Sequence, residues 1–172
     1  MHRVLALALA LYSYYSYVLI RTNLPRLPTR IPTHFNSAGE PNGWSSPDTL
    51  WMLLVVQVVT SALLLVIPLL GHRFPQTVNL GWRKLSDYTP EQRERIMPLL
   101  QDMMGYMSLL FSLFFTFLIA EFIRVALSPH PRFQMAWPIG LLLAGNAVVV
   151  ICYLRRINRA AAPTPSDHAP IH

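Results

Sequence analysis

Apolar residues gather in four long runs, at about 4–20, 49–70, 103–127 and 136–154, separated by three polar stretches of different character. Each run approaches or exceeds the ~20 apolar residues a helix needs to cross roughly 30 Å of hydrocarbon. The pattern predicts an all-α polytopic membrane protein with four transmembrane helices. The first run begins Leu/Ala-rich like a signal-peptide core, and Ala8-Leu9-Ala10 resembles a cleavage pattern, but apolar character continues through Tyr12–Ile20. That continuation predicts a retained helix, with Tyr14, Tyr15 and Tyr17 as an interfacial aromatic belt.

Local chemistry marks the ends of the runs. Asp48 or Ser46 is placed to cap the second helix, with Trp51 at its entrance. Residues 71–102 form a polar connection in which Thr89-Pro90-Glu91-Gln92 reads as a capping box with proline at the first helical position. A short helix is expected from there to Met97, with a kink or break at Pro98, which lacks a backbone donor. The apolar side made by Ile96, Met97, Leu99, Leu100, Met103 and Met104 predicts that this junction lies along the membrane surface. In the third span Ser108, Ser112, Thr116 and Ala120 recur every four residues, a stripe that lets another helix approach closely. The fourth carries Gly140 and Ala144 as a second small pair and ends at Arg155, Arg156 and Arg159. The Ala/Pro-rich tail, residues 160–172, is expected to be disordered.

Composition agrees with a single transmembrane domain over residues 1–159. The chain has 172 residues, 53% of them apolar and only 13% charged, and a formal net charge of +6. Basic excess in such a chain reflects loop bias, and no aromatic-interleaved basic stripe points to nucleic acid. Placing the N-terminus inside puts nine Lys and Arg on the cytoplasmic side and five outside. Both termini are therefore expected in the cytoplasm, with 71–102 as the cytoplasmic loop. Cys152 stands alone, so no disulfide framework exists.

The stretch from Leu27 to Trp44, within the loop 21–48, is built unlike its neighbours. Pro28, Pro32 and Pro41 restrict the backbone, while Gly39, Gly43, Asn36 and Asn42 favour turns. An ordered, non-helical, outward-facing loop is expected, presenting His34, Phe35, Asn36, Glu40 and Trp44. Residues Leu27, Pro28, Ile31, Pro32, His34, Phe35, Asn36, Gly39, Pro41, Gly43 and Trp44 carry a pattern, LPxxIPxHFNxxGxPxGW. It resembles the signature of a bacterial membrane family typified by SdpI, the immunity protein against a secreted killing factor. The chain departs at Asn42, where members often carry Asp, and at Ser45-Ser46, where Lys or Arg is common. The resemblance implies a bacterial inner-membrane location and an accessory or immunity-like role. The loop would then recognise a toxic peptide or envelope component through Pro32, His34, Phe35, Asn36, Gly39, Pro41, Gly43 and Trp44.

Three chemistries compete for these residues. His34 and Asn36 either hydrogen-bond backbone groups and lock the loop, or contact a peptide or lipid headgroup directly. His34 with Glu40 is alternatively part of a metal-dependent membrane enzyme, although HExxH and other standard ligand spacings are missing. Glu121 lies inside a span and is a functional candidate by position. With Arg124 three residues on, it predicts an intramembrane ion pair, the rival being a small oligomeric proton-coupled transporter. Gln57, Thr60 and Ser61 read as interhelical hydrogen-bonding groups, or else as the lining of a polar cavity. No nucleophile motif or phosphate-cradling glycine loop is present, so neither an enzyme nor a cofactor is expected.

Overall fold

The computed structural model describes residues 2–71, 73–81, 83–134 and 136–162. Four helices, α1 (His2–Asn23), α2 (Thr49–Leu70), α3 (Pro90–Ala126) and α4 (Ala136–Ala160), are long and apolar enough to cross a membrane. The chain is thus a multi-pass helical membrane protein. α3 is the central element, with α1, α2 and α4 packed against it. Its 37 residues reach roughly 55 Å, well beyond the hydrocarbon thickness.

α3 corrects the expected break at Pro98, because the helix runs unbroken from the capping box to Ala126. Gln92 donates its backbone N–H to Thr89 Oγ1 at 3.3 Å, and Thr89 N–H donates to Gln92 Oε1 at 3.0 Å. Beyond the cap, Ile96, Met97, Leu100 and Met103 are buried with Leu85, Tyr88, Tyr153 and Ile157 in one apolar cluster. Pro98 itself is exposed, off the packed face of the helix. Burial of four large side chains outweighs the ~3 kcal/mol that a proline costs a helix interior. The same packing covers the apolar side of this junction with α4 and the 75–88 segment. Gln92 and Arg95 also donate to the Ala161 and Ala160 carbonyls at 2.8 and 3.0 Å, satisfying the end of α4.

The small-residue stripe is used inside the chain. Ser16 Oγ and Thr116 Oγ1 lie 2.9 Å apart, Gln57 Nε2 donates to Ser112 Oγ at 2.9 Å, and Ser108 Oγ donates to the Ser61 carbonyl at 3.2 Å. All six of these side chains are buried, which makes them a hydrogen-bonded seam joining α1, α2 and α3. Gln57 Oε1 has no partner among the described residues. Gly140 and Ala144, by contrast, are exposed on α4 and make no close helix contact. The expected cap of α2 is also absent in its usual form. Neither the Asp48 nor the Ser46 side chain accepts from the helix, and Ser46 Oγ instead donates to Asp48 Oδ2 at 3.0 Å. Of the expected disordered tail, Ala160 closes α4, and residues 163–172 lie outside the described residues, as does Trp82.

Candidate functional site

The stretch between α1 and α2 folds into an antiparallel hairpin of β1 (Ile31–Phe35) and β2 (Pro41–Ser45), entered through a single 3-10 turn at Leu24–Arg26. The register pairs Ile31 with Ser45, Pro32 with Trp44, His34 with Gly43 and Phe35 with Pro41, with irregularities on both sides of His34. Prolines occupy both strands, which a hairpin tolerates because each strand has a free edge.

Asn36 builds the turn. Its Oδ1 accepts from the backbone N–H groups of Ala38 at 3.0 Å and Glu40 at 2.9 Å, and its Nδ2 donates to Glu40 Oε2 at 3.2 Å. Two backbone bonds, Asn36 N–H to Glu40 O and Gly39 N–H to Asn36 O, both 2.9 Å, close the loop. Gly39 adopts φ +77°, the left-handed region, and a Cβ there would collide with the Phe133 carbonyl oxygen. Glycine is therefore required twice over at this position. Gly43 is needed for a different reason: a Cβ there would come within 2.9 Å of His34 Cβ and 3.0 Å of its Cδ2, so the imidazole lies across the strand at Gly43.

Three phenylalanines seat the hairpin on the helices. Phe35 stacks on Phe133 with centroids 4.7 Å apart, and Phe122 of α3 lies 5.2 Å from Phe133 and 6.1 Å from Phe35. Phe133 N–H also donates to the Gly39 carbonyl at 2.9 Å. At the other end of β1, Ile31 is buried with Ile20, Leu50, Ile119 and Ile123, where α1, α2 and α3 converge. Pro32 beside it is buried as well. The hairpin is thus clamped at both ends of its first strand.

Its remaining groups face outward. His34, Asn36, Glu40 and Trp44 are exposed, Trp44 to 47%. The backbone carbonyl of Trp44 accepts from Arg30 Nη2 at 3.0 Å, which fixes the strand while leaving the indole uncovered. The His34 imidazole has no hydrogen-bond partner among the described residues, so of the two side chains expected to lock the loop only that of Asn36 makes the bonds. Between the hairpin and the helices opens a cleft of about 880 Å³, walled by His34, Phe35, Asn36, Leu118, Phe122 and Trp137, among others. One wall is backbone-rich and polar, the other aromatic, which suits an amphipathic ligand.

Glu121 and Arg124 lie next to this cleft. Arg124 Nη2 donates to Glu121 Oε2 at 2.8 Å and Nε to both carboxylate oxygens at 3.0 and 3.1 Å. Arg124 also donates to the Arg132 carbonyl at 3.2 Å, and the Arg132 guanidinium lies 3.8 Å from Glu40. Glu40 is therefore engaged with Asn36 and Arg132. Among the described residues no group of three His, Cys, Asp or Glu side chains gathers around His34 or elsewhere. The feature that sequence reasoning missed is Phe133. It sits in a short loop with no apolar periodicity, and only the contact with Phe35 gives it a role.

Residues 4–58, which include α1, the hairpin and the start of α2, match the family described as Domain of unknown function (DUF1648). An uncharacterized protein of Archaeoglobus fulgidus is 37% identical over 59 residues, covering 32% of this chain and 32% of its own length. The chain therefore spans about a third of that relative, and no solved structure matches it. The family match covers the part of the chain that contains the hairpin.

Proposed function

We propose that the hairpin and its cleft form a recognition site on the outer face of a bacterial inner membrane, binding a secreted toxic peptide or an envelope component in an immunity-like or accessory role. One observation carries this reading. The motif residues divide into those that hold the hairpin (Ile31, Phe35, Asn36, Gly39) and those that it displays (Trp44, and His34 on the wall of a cleft of about 880 Å³). A rigid support that presents an imidazole and a large indole to solvent is the arrangement of a binding surface, where aromatic anchors contribute most of the affinity. The resemblance of the motif to the SdpI-like family supports the ligand class. The excess of Lys and Arg at the opposite end supports the outward orientation.

The test is survival of a deletion strain challenged with secreted antimicrobial peptides, complemented by wild type, His34→Ala, Trp44→Ala or Asn36→Ala. Wild type is expected to protect. His34→Ala and Trp44→Ala are expected to accumulate in the membrane to normal levels and lose protection. Failure of the wild-type chain to protect against any peptide in the panel would remove the immunity-like reading. Normal protection by both His34→Ala and Trp44→Ala would remove the hairpin as the contact surface.

A further inference from the structure

A second site lies on the other side of Trp137. Between α3 and α4 runs an open trough of about 270 Å³, lined by Leu110, Leu113, Phe117, Pro138 and Leu141, together with Phe114, Leu142 and Trp137. Its exposed surface is almost wholly apolar. Leu113, Trp137 and Leu141 are exposed, so this groove is uncovered within the chain. It exists because α4 packs on α3 and on little else, and because Trp137 sets its ring against Phe117 edge-on at 5.0 Å.

The trough has one charged end. Trp137 also lines a polar pocket with Glu121, Arg124, Arg132 and Gln134. The two arginines there are not equally committed. Arg124 is held by three hydrogen bonds to Glu121. Arg132 is 73% exposed, and the anion it faces among the described residues is Glu40, at 3.8 Å, beyond hydrogen-bonding range. It is the cation with donors to spare. Arginine's planar fork is suited to phosphate oxygens, and an indole between apolar and polar zones is typical of the membrane interface.

Dimensions select the occupant. From Leu110 to Glu121 the helix rises roughly 16 Å, about half of the ~30 Å hydrocarbon core. The apolar groove takes up roughly 10 Å of that rise and the polar pocket the rest; together one leaflet deep, open to the surrounding hydrocarbon and ending in an arginine, they fit one acyl chain with a phosphate above it. We propose that the α3–α4 trough binds a bilayer phospholipid, with one acyl chain against Leu113, Phe117 and Leu141 and its phosphate on Arg132. Trp137 sits at the junction of tail and headgroup. This site does not depend on what the hairpin binds.

The experiment counts phospholipid retained per chain after prolonged detergent washing, by phosphorus assay and mass spectrometry of the extracted lipid. Three variants accompany the wild type: Leu141→Trp, which fills the trough; Arg132→Gln, which removes the phosphate donor; and Leu143→Trp, on an exposed part of α4 outside the trough. Wild type and Leu143→Trp are expected to retain a stoichiometric phospholipid. Leu141→Trp and Arg132→Gln should each retain roughly tenfold less, the order expected for losing a charge-assisted contact or its seat. Arg132 is an exposed loop side chain, so its variant remains informative if Leu141→Trp fails to fold. No retained phospholipid in wild type, unchanged retention in either Arg132→Gln or a folded Leu141→Trp, or equal loss in Leu143→Trp overturns the proposal.

Discussion

Replacing Asn36 by alanine separates the part of the motif that holds shape from the part that makes contact. The substitution deletes an acceptor serving Ala38 N–H and Glu40 N–H and a donor to Glu40 Oε2. The two backbone contacts contribute net about 1 kcal/mol each, and the exposed side-chain contact to the carboxylate adds little. The turn should lose roughly 2 kcal/mol, a factor of about 30 in its opening equilibrium. Two backbone bonds survive the substitution, Asn36 N–H to Glu40 O and Gly39 N–H to Asn36 O, and they report the opening. Hydrogen exchange of the purified protein should show the amides of residues 36 and 39 exchanging about 30-fold faster, those of 38 and 40 losing protection directly, and α2 and α3 unchanged. Asn36→Asp keeps both acceptor bonds and should recover most of the protection, less a repulsion from Glu40. Exchange at residues 36 and 39 within about threefold of wild type would refute the assignment of Asn36 as the turn's organiser. Uniform loss across α2 would do the same.

Two further outcomes test the helices. Gln57 is fully buried with one satisfied and one unpartnered polar end, and interhelical hydrogen bonds in membranes average about 0.6 kcal/mol. Gln57→Leu should shift stability by less than about 1.5 kcal/mol, whereas Gln57→Ala, which leaves a cavity, should cost about 2 kcal/mol or more. Thermal unfolding in detergent ranks the two, and a larger loss for leucine would contradict the seam's assigned weight. Pro98→Ala restores a donor to the interior of α3 at an exposed position, and should stabilise the protein by about 1–3 kcal/mol in the same assay. A lower melting temperature would mean that α3 depends on the proline.

The four spans were legible because hydrophobic length is a local property of sequence, and the Thr89–Gln92 box because capping needs only neighbours. The Glu121–Arg124 pair follows from helical spacing alone. The ordered stretch between α1 and α2 was also legible, but its strands were not. Pro32, Pro41 and Gly43 are poor strand formers, and β1 lacks the alternation that marks a half-buried strand. What makes it a strand is Ile31 in the helix core and Phe35 on Phe133, contacts that include Ile119, Ile123 and Phe133, roughly 90 to 100 positions away. Pro98 misled in the opposite direction. Its local signal for a break is strong, and it yields to side chains buried against α4 and the 75–88 segment. Local rules failed where distant packing decided.

The stacking of Phe35 on Phe133 also bears on how the chain is assembled. α1, the hairpin and α2 are synthesised first, but the aromatic seat for the turn belongs to α3 and the loop before α4. The hairpin therefore cannot take its final seat until the chain has been made as far as Phe133. The segment that matches the family model, residues 4–58, and the stretch needed to seat the hairpin are different lengths of the same polypeptide. Grafting those residues onto a foreign helical protein would transfer the motif without its footing, unless an aromatic equivalent of Phe122 and Phe133 came with them.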